Sequence, residues 1–329
     1  MKPKLKLLFL LSLFSITNSV NAQYFIPWPE LYGSISNRTM AIVLPDTTTA
    51  QGKSFFEIVN AQLQKDWKFS TVKWMSTEEY SGIVERADTN YLLFNISDAN
   101  YGHTKSMTSW TPSNQVTYTN GVAKVQPTEW TAKTRQVQGL SYDYMRVALK
   151  GPTTPGNSVR FVAVDLVPRG MDEGDMVFVI QQFSRMVNAS KNRISGLDYF
   201  DAEKNVEYIK NKTLLIPREY LDDDDSLKLP KKLEYPFKVT SLQEMNLAIL
   251  NCDTNYVYPK PIYSTQHRAY AWILVGTADG AIRGLMVDGG IKWDRNVDAP
   301  RTIKPGTLSS FYNGFMQKVN NQYQKHSYK

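Results

Sequence analysis

The chain has 329 residues and a formal charge of +7, from 38 Lys and Arg against 31 Asp and Glu. These charges are interspersed with no dominant basic stripe, so nothing points to nucleic acid. Its 42% hydrophobic and 12% aromatic content excludes a disordered chain and suits packed globular structure of about two domains' length. A single cysteine, Cys252, excludes an internal disulfide, so stability has to come from packed cores.

The first residues read as an export signal. Lys2, Lys4 and Lys6 precede an apolar run over residues 7–16 that is too short to span a bilayer comfortably. Val20-Asn21-Ala22 then places small residues at the cleavage positions. This predicts a signal peptide over residues 1–22, removed before Gln23, and a periplasmic or secreted protein of charge about +4. Gln23 stands where a bacterial lipoprotein carries its anchoring Cys. No later apolar stretch reaches spanning length, so no transmembrane helix is expected in the mature chain. Tyr24-Phe25-Ile26-Pro27-Trp28-Pro29 reads either as a sticky extension or as a strap over the fold.

Two series of elements then follow with a shared marker. Asp88-Thr89-Asn90-Tyr91 recurs as Asp253-Thr254-Asn255-Tyr256, and Ser76 and Glu79 recur in register as Ser241 and Glu244. In the first copy, residues 40–45 form a short apolar run ended by Pro45, which predicts a buried strand. Phe55, Phe56, Val59, Leu63 and Trp67 recur at helical spacing. A strand is predicted at residues 72–75, then a short helix whose Ser76 and Glu79 form a capping box. The repeated string predicts a turn, because Asp and Asn side chains bond local backbone groups. Strands at residues 91–94, 145–149 and 159–167 come next, and Phe178, Val179, Phe183, Met186 and Val187 mark a closing helix. The second copy repeats this order. Its strands are predicted at residues 213–217, 237–239, 256–258, 271–275 and 282–287. A capped helix follows Ser241, and a final helix carries Leu308, Phe311, Phe315 and Val319.

The predicted fold class is therefore α/β (α+β): a tandem duplication of a β-α-β-α-β-β-β-α domain with mixed sheets and helices on one face. Residues 23–190 are the first repeat, 191–211 a polar linker with some helical character, and 212–329 the second repeat. Cys252 aligns with Ala87 and reads as a small residue just before a strand.

The copies disagree in two places. Where the first has its second apolar segment, a helix, the second carries Asp222-Asp223-Asp224-Asp225 followed by Pro230 and Pro236. Proline breaks helices. The acidic run lacks the alternation and the glycine of a calcium loop, so it reads as a solvated loop. The other difference is an insertion over residues 98–143, rich in Ser, Thr and aromatics. Asn120-Gly121 lies between two alternating runs and is a strong hairpin signal. Trp110, Tyr118, Asn120 and Trp130 are the candidate partner-binding residues, since aromatics concentrate at interface hot spots. The two tryptophans can equally pin the hairpin to its own domain.

Little in the sequence carries catalysis. The histidines are His103, His267 and His326, each among polar residues, and no HExxH, CxxC or GxSxG occurs. The glycine-bearing loops near residues 151–157 and 276–280 lead into strands, whereas a phosphate loop leads into a helix. A triad assembled from distant residues stays open on spacing alone. The expectation is a protein that is not an enzyme and has no cofactor and no metal.

The order of elements resembles the TolB amino-terminal and curli-secretion lipoprotein class of envelope domains. Residues 86–92, Arg-Ala-Asp-Thr-Asn-Tyr-Leu, are similar to a family phrase of the type Gly-Ala-Asp-Tyr-Leu before the third strand. The strand Val-Arg-Phe-Val-Ala-Val-Asp-Leu at 159–166 also resembles theirs. The cleavage region and the abundance of Tyr, Asn and Lys look like exported proteins of Bacteroidota. The resemblance implies a non-enzymatic binding or scaffold role through a protein partner in the cell envelope. Two alternatives stand beside it. One is a glycan-active hydrolase or glycan-binding protein with a site between the repeats. The other is a structural subunit of a homo-oligomer joined through edge strands.

Overall fold

The computed structural model describes residues 30–119, 122–168, 171–194, 202–233, 235–264, 269–287 and 302–312, with residues 100–119, 122–142, 202–204, 206, 269, 286, 287 and 310 given by their backbone alone. The signal peptide expected at residues 1–22 and the segment 24–29 lie outside them. Helix α1 (Leu31–Ile35) leads into β1 (Thr39–Val43), α2 (Ala50–Asp66), β2 (Val72–Met75), α3 (Thr77–Glu85), β3 (Tyr91–Thr119), β4 (Val122–Thr154), β5 (Asn157–Leu166) and α4 (Glu173–Lys191). Helix α5 (Ala202–Lys210) precedes β6 (Thr213–Pro217), two helical turns α6 (Asp223–Ser226) and α7 (Leu229–Lys232), and β7 (Phe237–Thr240). The chain continues with α8 (Leu242–Leu250), β8 (Tyr256–Ser264), β9 (Ala269–Gly276), β10 (Ile282–Val287) and α9 (Pro305–Tyr312). The fold is α/β with a mixed sheet.

Strand pairing repeats between the halves. β1 lies parallel to both β2 and β3, and β6 lies parallel to both β7 and β8. Antiparallel strands β4 and β5 then extend the first half, and β9 and β10 the second. The local chemistry repeats as well. Ser76 Oγ accepts from Glu79 N–H at 3.2 Å, and Ser241 Oγ from Glu244 N–H at 3.1 Å; both boxes close reciprocally. Asp88 Oδ1 accepts from Asn90 N–H at 3.1 Å, and Asp253 Oδ1 from Asn255 N–H at 2.9 Å. The Asn90 carbonyl accepts from Thr39 N–H at 2.8 Å, and the Asn255 carbonyl from Thr213 N–H at 3.0 Å. The doubled string is thus a turn that also ties the first strand of its half.

Two sequence expectations are corrected. The strands do not close two sheets: Leu166 of β5 pairs with Ile262 of β8, making one ten-stranded sheet. Nor do the helices share one face. Met40, Ile42, Leu92 and Phe94 pack in one core with α1, α2 and α4, while Ala41 and Leu93, which alternate with them, pack against Ile83 of α3 on the other side. In the second half, α8 joins the α4 side and α9 lies on the opposite side, with Trp272 and Leu274. A single layer of helices leaves one sheet face in water, and the alternating apolar residues of β1, β3, β8 and β9 need cover on both faces.

Helix α4 is the centre of this arrangement. Its sequence reads as the amphipathic last helix of the first half, yet it is buried nearly all round, as a helix inside a larger core is. It packs on α1, α2 and β5 of the first half and on α8 of the second. Phe178 and Phe183 are about 99–100% buried, each worth roughly 1.5–3 kcal/mol of transfer free energy as an upper figure. Three of its buried polar residues, Asp175, Gln182 and Ser190, find partners in the fold. Asp175 caps the helix with Asp172 and also meets the buried Lys260 of β8, whose ammonium lies 5.0 Å from the Phe178 ring centre. Gln182 Nε2 donates to the Gly280 carbonyl, and Ser190 Oγ accepts from Tyr32 N–H at 3.0 Å. Both halves of the sheet lie in one compact unit around this helix; a second unit includes Asn100–Asp143.

Candidate functional site

The insertion lies on two long strands. β3 runs for 29 residues and β4 for 33, and the two are neighbours in the sheet. Only an antiparallel pair can be joined by two residues. Trp110 and Tyr118 lie on β3, Trp130 lies on β4, and Asn120 lies outside the described residues. β3 pairs with β1 over Tyr91–Leu93 and β4 with β5 over Met145–Thr154. Among the described residues, no third strand flanks the remainder of either. His103 is on β3, and His267 and His326 lie outside the described residues.

A second feature was not legible in the sequence. On β4, Val147 and Leu149 enter the main core, so Arg146, Ala148 and Lys150 stand on the opposite face, the one shared with α3. On β5, Asp165 pairs with Arg146, Ala163 with Ala148, and Val162 with Leu149. Lys150 then pairs with Arg160, which leaves Phe161 as an extra residue. This β-bulge re-aims the strand, as bulges do. Without it Arg160 would share the face of Val162 and Val164. The bulged Phe161 ring instead lies under the Arg38 guanidinium, 5.0 Å from its centre. It also lies against Gly151, where a Cβ would come within 2.6 Å of the ring. Gly156, at φ +75° in the β4–β5 turn, donates its N–H to the Val84 carbonyl of α3 at 3.1 Å.

The charges of this cluster are unequal. Arg146 meets Asp165 through a bidentate fork, Nε to Oδ1 at 2.6 Å and Nη2 to Oδ2 at 2.7 Å. Its guanidinium lies 5.0 Å from the Tyr144 ring centre, and Tyr144 stacks on Tyr263 at 4.5 Å. Burial opposes the charge on Arg146, but the hydrogen bonds and attraction of Asp165 outweigh it and hold its pKa above the ordinary value. Arg160 and Lys150 go the other way. Burial, then repulsion from Arg146, lowers Arg160; burial, then Arg146 and Arg160, lowers Lys150. The carboxylate of this cluster, Asp165, is thus committed to Arg146.

Two surface depressions, by contrast, hold carboxylates already engaged within the fold, Glu219 and Glu244 in one and Asp222 and Asp225 in the other. The first is lined by Arg218, Glu219, Val239, Thr240, Ser241 and Glu244, at the carboxyl ends of β6 and β7 where open α/β sheets bind ligands. Glu219 accepts from Leu242 N–H at 3.1 and 3.2 Å, and Glu244 accepts from Thr240 Oγ1 and from Ser241 N–H. The protein's own carboxylates therefore fill the start of α8. The Thr240 hydroxyl, then the Ser241 N–H, hold Glu244 below the usual carboxylate range.

The second depression holds Asp222 to Asp225 with Lys228 and Lys304. Asp222, Asp223 and Asp224 are exposed as the sequence reading expects, but the loop is corrected: Asp223–Ser226 is a helical turn, and Asp225 is 6% exposed. Lys304 Nζ lies 2.7 Å from Asp222 Oδ2 and 2.9 Å from Asp225 Oδ2, and Lys228 Nζ lies 3.0 Å from Asp225 Oδ1. Among the described residues, no group of His, Cys, Asp and Glu is placed to hold a metal ion.

Cys252 has a backbone explanation. Ala87 and Cys252 adopt φ +53° and +50°. Each follows a helix whose end closes with two bonds: Asp88 N–H to Ile83 and Ala87 N–H to Val84, matched by Asp253 N–H to Ala248 and Cys252 N–H to Ile249. This is the Schellman motif, with the left-handed position held by a non-glycine residue. Register at that turn, rather than small size before a strand, aligns the two residues. No helix among the described residues is long and apolar enough to cross a membrane. Comparison with protein-family models, curated proteins and solved structures finds no match to this chain.

Proposed function

We propose that this chain is an exported, non-enzymatic binding or scaffold protein that acts by protein–protein contact in a bacterial envelope assembly. In this reading it is built on a duplicated α/β unit, with the β3–β4 hairpin as its contact element. One observation carries the reading: two neighbouring strands continue far beyond the spans that pair with β1 and β5. Twenty residues at about 3.3 Å each make a ladder of roughly 65 Å. A two-stranded ribbon is marginally stable alone in water, so a long one calls for a covering surface. Exposed strand edges are usually guarded by charge. Between residues 100 and 142 the charged residues are Lys105, Lys124, Glu129, Lys133 and Arg135, a sparse set for a chain with 21% charged residues.

The export signal read at residues 1–22 supports the envelope location, and the repeated pairing and repeated turn support duplication. Deleting residues 100–139 is expected to abolish recovery of partners from cross-linked envelopes while circular dichroism and melting remain those of a folded sheet. Unchanged recovery by the deleted protein contradicts the hairpin as contact.

A second reading shares the same observation. The outer edges of β3 and β4 suit a second copy of the chain, which makes the protein a structural subunit of a homo-oligomer. Mass measurement of the full chain and of the deletion separates the two: assembly that vanishes with residues 100–139 favours self-pairing. The glycan-active alternative rests on a site between the repeats, where α4 and the buried Asp175–Lys260 pair lie.

A further inference from the structure

We propose that Lys150 and Arg160 form a binding site for a phosphate-type oxyanion on the sheet face beside α3. Like charges directly opposite on neighbouring strands repel, so a fold without use for the pair has reason to avoid it. Here the bulge at Phe161 creates the pair, since an unbulged ladder sets Phe161 against Lys150. Bulges concentrate where a strand re-aims a side chain at a site.

The chemistry suits a tetrahedral dianion. Directly opposed residues have Cβ atoms about 5 Å apart, a span that one phosphate group can bridge. Arg160 offers a planar fork and Lys150 a mobile point charge, the usual combination on phosphate oxygens. Arg146, whose fork is taken by Asp165, does not compete for the ligand. On the same face Ala148 stands opposite Ala163, between this pair and the Arg146–Asp165 pair. Both cations are partly buried, which weakens screening by salt. Burial first, and then repulsion from neighbouring cations, lowers the pKa of both groups.

Phosphate of this kind comes either free or on a lipid headgroup, and two arms of one experiment distinguish them. The full chain is titrated calorimetrically with inorganic pyrophosphate, and in parallel floated with phosphatidylglycerol vesicles against phosphatidylcholine vesicles. Saturable pyrophosphate binding is expected, weakened at least tenfold in Lys150→Gln and in Arg160→Gln and unchanged in the control Lys238→Gln. Flotation that needs phosphatidylglycerol and is competed by pyrophosphate assigns the headgroup as source; binding of pyrophosphate without flotation assigns the free anion. Both variants relieve repulsion, so their melting temperatures are expected to equal or exceed that of the parent. Absence of binding in both arms, or binding that neither variant weakens, overturns the proposal. The deletion of residues 100–139 leaves Lys150 and Arg160 in place, so this site and the hairpin contact fail or stand separately.

Discussion

Lys150 stands directly opposite Arg160 across the β4–β5 ladder, brought there by the extra residue Phe161. The fold therefore holds two cations side by side without a carboxylate of their own. Lys150→Glu is expected to raise stability by about 0.2–1 kcal/mol, the range of a cross-strand ion pair, as read by urea unfolding. A loss of stability from this change contradicts the placement. A stabilising change that abolishes anion binding is the trade expected of a functional site.

The Asp175–Lys260 pair joins the two halves in the interior, with both side chains about 95% buried. Breaking a buried ion pair leaves an uncompensated charge and typically costs about 3–5 kcal/mol. Lys260→Met is expected to fall in that range by denaturant unfolding. Adding Asp175→Asn, which keeps a capping side chain, is expected to recover most of the loss. If Lys260→Met costs less than about 1 kcal/mol, the pair does not hold the halves together.

Ala87 and Cys252 occupy a left-handed position that costs a residue with a Cβ roughly 1–2 kcal/mol. Ala87→Gly and Cys252→Gly are each expected to raise stability by about 1 kcal/mol, reduced somewhat by the entropy glycine brings to the unfolded chain. The two turns lie in different halves, so the double change is expected to be additive. Destabilisation by either substitution contradicts the shared Schellman geometry.

Acid and base limbs of stability have named sources. Hydrogen bonds from Lys304 and then Lys228 hold Asp225 below the ordinary carboxylate range, and Thr240 does the same for Glu244. Depressed carboxylates contribute fully above their unfolded pKa near 4 and lose that contribution as pH falls through the folded value. Lys304 is raised by Asp222 and then Asp225. Its contribution is present below about 10.4 and is lost as pH rises through its folded value. Melting temperature is expected to be flat between about pH 5 and pH 10 for these groups. Asp225→Asn and Glu244→Gln are expected to shallow the acid limb, and Lys304→Met the limb at high pH. Superimposable curves for parent and variants contradict these assignments.

Much of the architecture was legible because local signals agree with it. Caps at Ser76 and Ser241, the turn at Asp88 and Asp253, and apolar runs at β1 and β6 act over a few residues and survive any tertiary setting. Other features depend on distant partners. The all-round burial of α4 rests on Lys260, which donates to Asp175, and on the Gly280 carbonyl, which accepts from Gln182, so Gln181, Gln182 and Ser184 read as a solvent face until the second half is in place. The Phe161 bulge is a matter of register between strands, and single-strand alternation does not encode it. The length of β3 and β4 was hidden because Ser, Thr and Gln fill both parities, leaving Asn120-Gly121 as the local sign of a hairpin.

The role of that hairpin is tested most directly by a photo-cross-linking residue placed at Trp110, Tyr118 or Trp130, compared with the same residue at Leu227, which is 79% exposed on the α/β unit. After illumination in intact cells, covalent adducts are expected from the three hairpin positions and not from position 227. Adducts from position 227 with none from 110, 118 or 130 contradict the hairpin as the contact element.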